Sequence, residues 1–133
     1  MTSEPSKLKY LRIYADADGE SHMEELDIAL LPKQIFPGLP ALTLSSVTPA
    51  TGVSFCRVPA GMTEVSWHNS PSRKLVFWLT GEIEYETSDG AIRRLPSGSV
   101  VLSEDTTGKG HISRHPAEGL VLAFVDLPTG ILR

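Results

Sequence analysis

Cysteine is almost absent from this 133-residue sequence, and the usual marks of secretion are absent with it. Cys56 is the one cysteine, so no internal disulfide can form, which is typical of a reducing compartment. The first ten residues, MTSEPSKLKY, contain no apolar core of signal-peptide length, and no apolar run approaches the length of a transmembrane helix. We therefore expect a cytoplasmic protein in which Cys56 is a buried, inert thiol.

An excess of positive charge is also lacking, because 12 Lys and Arg residues face 16 Asp and Glu residues. This net charge of -4 argues against a nucleic-acid partner, which usually requires a basic face. The run TTGKG at residues 106–110 lacks the spacing of a phosphate-binding GxxxxGK[ST] loop. The spacing of Asp16, Asp18 and Glu20 lacks the further ligands of a calcium-binding EF-hand loop.

Long helical patterns are missing as well, and short apolar runs between turn signals take their place. Residues 31–52 carry four prolines, which excludes a long helix there. From Gly52 onward, strand-like runs such as GVSFCRVP, KLVFWLT, EIEYETS and GLVLAFVDL alternate with Gly, Pro and Asp-Gly turns. The pattern predicts an all-β sandwich or barrel.

The N-terminal part of the chain is less regular than the rest. Residues 8–16 predict an edge strand, residues 15–25 a polar loop carrying His22, and residues 24–31 a short strand or one helical turn. We predict one domain over residues 1–133. In it, residues 1–51 form an N-terminal strand and loop extension, and residues 52–127 form the barrel core.

Two motifs in the core resemble those of the cupin family. The first cupin motif has Gly, His-x-His, Glu and Gly, and the second has the spacing Gly-x5-Pro-x-Gly-x2-His-x3-Asn. The positions near these places are Gly61, His68, Ser70, Lys74 and Gly81 for the first motif, and Gly98 and His111 for the second. The chain is also similar to small single-domain bacterial cupins of the RmlC-like jelly-roll superfamily that carry a loop close to EDTTGKGH.

The resemblance implies a cupin-type double-stranded β-helix, a jelly-roll barrel of two antiparallel sheets. It implies a small polar or anionic organic molecule as ligand, bound inside the barrel. It also implies a homodimer formed by strand exchange, with the run LKYLRIY as a contributor. A cupin metal would be a divalent transition ion such as Fe, Mn, Ni or Zn.

The chain departs from the cupin motifs at three positions, and two of them are positions of metal ligands. Ser70 stands at the place of the second His, Lys74 at the place of the Glu, and Glu104 at the place of a Pro. His68 and His111 remain, and Asp105 in the loop could complete a set of two histidines and one carboxylate. Lys74, however, would place a cation where the metal's carboxylate ligand normally lies.

Residues around this predicted site could contact a ligand. Lys74, Val76 and Trp78 share one face of their strand, and the resemblance implies that this face looks inward. A lysine inside an apolar barrel could bind an anion or act as a base. The full set of candidates is His111, Lys74 and Asp105 for catalysis, and Ser70, Arg73, Trp78, Thr106 and Lys109 for ligand binding.

Three functions remain open on the sequence. The first is a metal-dependent oxygenase, isomerase or lyase that uses His68, His111 and a loop carboxylate. The second is a metal-free barrel that binds or senses a small anionic molecule through Lys74 and Arg73. The third is a metal-free acid–base enzyme of the epimerase type that uses His111 with Asp105 or Lys74.

Overall fold

A computed structural model describes residues 7–128, and across them the chain forms twelve β-strands and no helix. The prediction of an all-β fold is confirmed. Within this part of the chain there is accordingly no helix long and apolar enough to cross a membrane. In chain order the strands are β1 (Lys7–Ala15), β2 (Ser21–Ala29), β3 (Leu31–Lys33), β4 (Leu42–Leu44), β5 (Gly52–Val58), β6 (Glu64–His68), β7 (Lys74–Trp78), β8 (Ile83–Thr87), β9 (Ile92–Leu95), β10 (Val100–Ser103), β11 (His111–Arg114) and β12 (Leu120–Asp126).

Two main sheets carry the fold. The larger has six strands in the order β2-β1-β10-β7-β12-β5, and the smaller has four in the order β6-β11-β8-β9. Neighbouring strands run antiparallel except β1 and β10, which are parallel. Strands β3 and β4 form a separate two-stranded sheet.

The two main sheets pack face to face around one apolar cluster. Val76 and Trp78 of β7 reach this cluster from the large sheet, and Ile83 and Tyr85 of β8 reach it from the small one. Alternating side chains of a strand point to opposite faces, so Glu84 between the last two lies on the outer face. The sequence of this strand alternates in the same way, with Ile83 and Tyr85 between Glu82, Glu84 and Glu86.

Strand β7 is covered on both faces, as its uninterrupted apolar run predicts. Val76 and Trp78 face the inner cluster, whereas Leu75 and Phe77 belong to a second cluster on the other side of the large sheet. Strand β7 lies between β10 and β12 inside that sheet. The strand that carries Lys74 is therefore fixed on both edges and on both faces.

Two predictions for the N-terminal part are wrong. Strand β1 is not an edge strand, because β2 pairs with one of its edges and β10 with the other. The polar loop predicted for residues 15–25 is wrong over residues 21–25, because β2 pairs with β1 along its whole length, whereas the strand alternative for residues 24–31 is confirmed over residues 24–29. The polar loop is confined to residues 16–20, where the Asp16 carboxylate accepts hydrogen bonds from two backbone amides.

The loop between β10 and β11 comes very close to the end of β6. Gly110 has a φ of +74°, and a Cβ at this position would lie 2.2 Å from the carbonyl oxygen of His68. Only glycine combines this conformation with such an approach. The contact brings the start of β11 against the end of β6, so that His111 is the register partner of His68.

Candidate functional site

A cavity of about 400 Å³ lies between the two main sheets. Most of its wall surface is apolar, although eleven of the nineteen residues that line it have polar or titratable side chains. Small-molecule sites usually combine apolar surface with placed polar groups in this way. The polar and titratable side chains on its wall are Cys56, Arg57, His68, Ser70, Lys74, Trp78, Tyr85, Ser103, His111, Ser113 and His115.

The two histidines that the cupin motifs identify meet in this cavity. Their ring centroids are 4.4 Å apart, and both rings line the wall. His111 is 5% exposed, whereas His68 at the end of β6 is half-buried. Forty-two residues of intervening chain separate them in sequence, so it is the antiparallel pairing of β6 with β11 that brings them together.

Asp105 lies behind His111 as seen from the cavity. Its Oδ2 atom is 2.5 Å from Nδ1 of His111, and Asp105 has no exposed surface. The hydroxyl of Ser103 donates to the other carboxylate oxygen at 3.3 Å. The Asn69 side chain and the Ser70 amide both donate to the Asp105 carbonyl oxygen at 3.2 Å. These bonds fix both the carboxylate and its backbone.

The hydrogen bonds determine which ring nitrogen of each histidine faces the ligand. The Asp105 carboxylate accepts the Nδ1 proton of His111, and the Ser66 carbonyl oxygen accepts that of His68 at 2.7 Å. Nε2 is the remaining nitrogen in both rings, and within residues 7–128 neither Nε2 atom has a hydrogen-bond partner. Two ring nitrogens are therefore free to meet a ligand.

Burial keeps His68 in its neutral form. Removal from water lowers the pKa of His68, and the neighbouring His111 lowers it further, while the bond to the Ser66 carbonyl opposes both. Because His68 is neutral, a proton on His111 does not place two positive charges side by side. The pair is thus suited to proton transfer at His111.

Three further predicted residues lie on the cavity wall. Lys74 and Trp78 line it from β7, and Ser70 lines it from the loop before β7. The Ser70 hydroxyl already donates to the Ser72 carbonyl oxygen at 2.6 Å. The Lys74 ammonium lies 4.6 Å from the centre of the Phe124 ring and 3.7 Å from Asp126.

Three other predicted ligand-binding residues lie away from the cavity wall. Arg73 forms an ion pair with Glu104 and donates to the Pro128 carbonyl oxygen. Lys109 is exposed and pairs with Glu20 at 2.7 Å. Thr106 is exposed on the loop between β10 and β11. Their side chains lie on or contact the loop between β10 and β11, and they do not line the cavity between the sheets.

Two further cavity residues lie outside the set of candidates that the sequence analysis selected. Tyr85 is 3% exposed, and its hydroxyl oxygen accepts a hydrogen bond from the Trp78 indole at 3.0 Å. His115, which precedes Pro116, lines the cavity with its ring 6.2 Å from that of Trp78. The inward alternation of β8 signalled the burial of Tyr85, although not its hydrogen bond.

The cavity does not supply the ligand set that a cupin metal needs. Two imidazole nitrogens are free, but the Asp105 carboxylate is bonded to Nδ1 of His111. It therefore does not lie on the Nε2 side of the ring, where a metal would bind. Within residues 7–128 no three His, Cys, Asp or Glu side chains are grouped to hold a metal ion. Lys74 also brings a cation to the same wall. A bound transition metal stays a prediction of the family resemblance.

Comparison with known proteins adds no assignment. No family model matches the chain, and no curated protein is significantly similar to it. The site must be interpreted from its own geometry.

The lowered pKa of His68 predicts a loss of stability in acid. Between the folded pKa and the ordinary value of 6.5, the unfolded chain binds the proton more readily than the folded chain does. The contribution of His68 to folding stability is therefore complete above pH 6.5, and it is lost as the pH falls through the pKa of His68 in the folded protein. In a His68→Gln variant we expect the melting temperature to fall less on acidification from that pH than in the wild type.

His22 provides the matched control for this measurement. Its hydrogen bond to Asp16 raises its pKa, and a second bond to Asp89 acts in the same direction. Its contribution is present below pH 6.5 and is lost as the pH rises through the raised pKa. A His22→Gln variant should therefore flatten the alkaline side of the curve. Equal acid sensitivity in the wild type and in His68→Gln would refute the assignment.

Proposed function

We propose that the protein is a cupin-type acid–base enzyme that transfers a proton on a small organic molecule bound between its sheets. The Asp105–His111 hydrogen bond carries this proposal, because the buried carboxylate orients an imidazole that lines the cavity. A positioned side-chain base is the usual device for such chemistry. The resemblance to cupins and the two face-to-face sheets support the fold assignment.

In this mechanism Asp105 is the positioning residue and His111 is the base. The carboxylate holds the proton on Nδ1 of His111, so the Nε2 lone pair is available to the ligand. When Nε2 accepts a proton from the ligand, Asp105 stabilises the imidazolium that forms, as in other carboxylate–histidine pairs. Return of that proton to the ligand at a different atom or face would complete an isomerisation or epimerisation.

The composition of the wall supports a ligand that is mainly apolar. Val76, Leu122 and Phe124 contribute apolar surface, and Lys74 contributes a positive charge. An organic anion with an apolar body complements this combination. The single cysteine supports a cytoplasmic setting for such a small-molecule enzyme.

A reaction that needs only a positioned base tests the proposal without knowledge of the natural substrate. We would use 5-nitrobenzisoxazole with chelator-treated protein. The base takes the carbon-bound proton, the electrons of that bond form a nitrile, and the nitrogen–oxygen bond breaks to release a coloured phenolate. We expect wild-type protein to accelerate this ring opening and His111→Gln to lose about 100-fold or more.

The control variant is His22→Gln, which removes a histidine outside the cavity and should retain the wild-type rate. An unchanged rate in His111→Gln would refute the proposal. A wild-type rate that vanishes with chelator and returns with a transition metal would replace it by the metal-dependent function.

We also propose that the protein forms a homodimer, through surfaces other than the one that the sequence predicted. Both edges of β1 are paired within the chain, so the run LKYLRIY offers no open edge to a second copy. Strand β5, in contrast, is an edge strand whose Val53 and Phe55 are 63% and 76% exposed. Every residue from 31 to 47 is exposed, and seven of them are large hydrophobic residues.

A second copy of this chain would cover these apolar surfaces, which monomeric proteins rarely leave open. We expect light scattering after gel filtration to give the mass of a dimer for the wild type and of a monomer for Phe55→Glu. Glu82→Lys, which changes charge at an exposed turn, is the control and should stay dimeric. A monomeric wild type at concentrations near 0.1 mM would contradict the dimer.

A further inference from the structure

Two hydrogen-bond donors on the cavity wall, one buried and one partly exposed, have no hydrogen-bond acceptor within the described part of the chain. One is the Tyr85 hydroxyl, and the other is the Lys74 ammonium. Buried polar groups in folded proteins almost always have a partner, and unpaired ones point to a ligand when they line a cavity. Both side chains do line it.

The hydrogen bond from Trp78 fixes the role of the Tyr85 hydroxyl. The indole N–H donates to the hydroxyl oxygen at 3.0 Å, so the hydroxyl's own proton must be directed elsewhere. No acceptor for it occurs among residues 7–128. Burial also raises the pKa of Tyr85, which keeps the proton on the oxygen. Tyr85 is thus a neutral donor held ready by its neighbour.

The Lys74 ammonium is the second donor. Its side chain is 14% exposed, and its nearest carboxylate oxygen, on Asp126, is 3.7 Å away, which is too long for a hydrogen bond. Within residues 7–128 it makes no hydrogen bond, and its other close neighbour is the Phe124 ring. Three N–H groups therefore remain for an anion.

The two donors lie toward opposite ends of the inward face of β7. Lys74 begins that strand, and Trp78, which holds Tyr85, ends it four residues later. Four residues of extended chain span about 13 Å. Between them Val76 and, from β12, Leu122 provide an apolar wall. The backbone positions of Lys74 and Trp78 are therefore far enough apart to leave room for a substituted benzene ring between them.

We infer that the cavity selects an elongated organic anion with two oxygen-bearing ends, whose anionic group binds Lys74 and whose far-end carbonyl oxygen accepts a hydrogen bond from Tyr85. This inference rests on the proposed function, for which it names the class of substrate. A carbonyl at the far end would also acidify the neighbouring C–H bonds. The ring of His111 lies 5.5 Å from that of Tyr85, so the base is close to this end.

Three matched probes separate the two contacts in calorimetric binding experiments. 4-Acetylbenzoate carries both groups, 4-isopropenylbenzoate replaces the carbonyl oxygen by a methylene of similar shape, and 4-methylacetophenone replaces the carboxylate by a methyl group. We expect wild-type protein to bind the first about 10-fold more tightly than either of the others, because each analogue leaves one donor of the cavity wall without a ligand acceptor.

Two variants assign each preference to its residue. Tyr85→Phe should remove the preference for the acetyl over the isopropenyl probe, and Lys74→Met the preference for the carboxylate over the neutral probe. Tyr85→Phe leaves the Trp78 indole without an acceptor, so a second measurement is needed in case this variant does not fold. The infrared carbonyl stretch of 4-acetylbenzoate bound to the wild type should then be lowered relative to the probe in an apolar solvent.

Equal wild-type affinities for the acetyl and isopropenyl probes would overturn the inference, and so would the absence of binding by any of the three at millimolar concentration. An unshifted carbonyl stretch would overturn the role of Tyr85. The ring opening of 5-nitrobenzisoxazole by the wild type tests the acid–base function separately. Failed probe preferences with intact ring opening refute only the substrate class, whereas loss of both refutes the function as well.

Discussion

Replacing Asp105 by Asn should slow the ring opening of 5-nitrobenzisoxazole by about 100-fold to 10,000-fold. The amide has the shape of the carboxylate, so it can keep the contact with Ser103 and the burial of the side chain. It has lost the charge that stabilises the imidazolium, however. It can also present its NH₂ group to His111, which would then carry its proton on Nε2 and have no lone pair toward the cavity.

The comparison for this experiment is Asp27→Asn, which removes a carboxylate from the exposed surface of β2. Asp27 pairs with Lys7 and Lys9 and has no contact with the cavity wall. Its rate should equal that of the wild type. A rate for Asp105→Asn within about threefold of the wild type, with the fold intact, would show that His111 does not depend on the carboxylate.

The largest expected loss of stability comes from Glu104→Ala. The Glu104 carboxylate, whose side chain is 8% exposed, forms ion pairs with Arg12 at 2.6 Å and with Arg73. The side chains of Arg12 and Arg73 are themselves 15% and 12% exposed. Removal of the carboxylate leaves two largely buried cations close together, and breaking a buried pair in this way costs about 3 kcal/mol or more of unfolding free energy.

Urea denaturation measures this loss, and Glu25→Ala is the matched control. Glu25 also contacts two cations, Lys9 and Arg93, but all three side chains are more than 40% exposed. Exposed ion pairs contribute between zero and about 1 kcal/mol. Equal denaturation midpoints for the two variants would contradict the account of the Glu104 cluster. Because Glu104 precedes Asp105, its loss should also lower the rate of ring opening.

Much of the fold could be predicted from local pattern. The alternation in β5 and β8, the Asp-Gly turn before β9 and the apolar run of β7 each specify a strand without reference to the rest of the chain. The place of β1 could not be predicted in this way. Its partner β10 lies some ninety residues further along the chain, and parallel pairing at that distance leaves no local signal.

The sequence predicted which residues form the candidate site better than it predicted the chemical role of each residue. Motif spacing identified His68 and His111 as partners across the interior, and the structure places their rings 4.4 Å apart. Asp105 was expected as a metal ligand or as a partner of His111. Only its position behind the ring, on the Nδ1 side, favours the second role. The role of Asp105 depends on which side of the His111 ring its carboxylate occupies. The spacing of residues along the sequence does not specify this position.

Tyr85 illustrates the same limit for ligand recognition. The sequence places it on a buried face, where most tyrosines serve only as core residues. The Trp78 indole donates a hydrogen bond to the hydroxyl oxygen, and this leaves the hydroxyl proton available to a ligand. This neighbour lies on a strand of the other sheet, so the pairing is a product of sheet packing and not of either strand alone.

The protonation pattern of the His111 ring tests the central claim most directly. Long-range proton–nitrogen NMR spectra recorded near pH 8 distinguish the two neutral forms of each imidazole. We predict that the His111 proton resides on Nδ1, that Nε2 has the chemical shift of an unprotonated nitrogen, and that Asp105→Asn changes this pattern. A wild-type spectrum with the proton on Nε2 would contradict the account, because His111 would then have no lone pair to offer a ligand in the cavity.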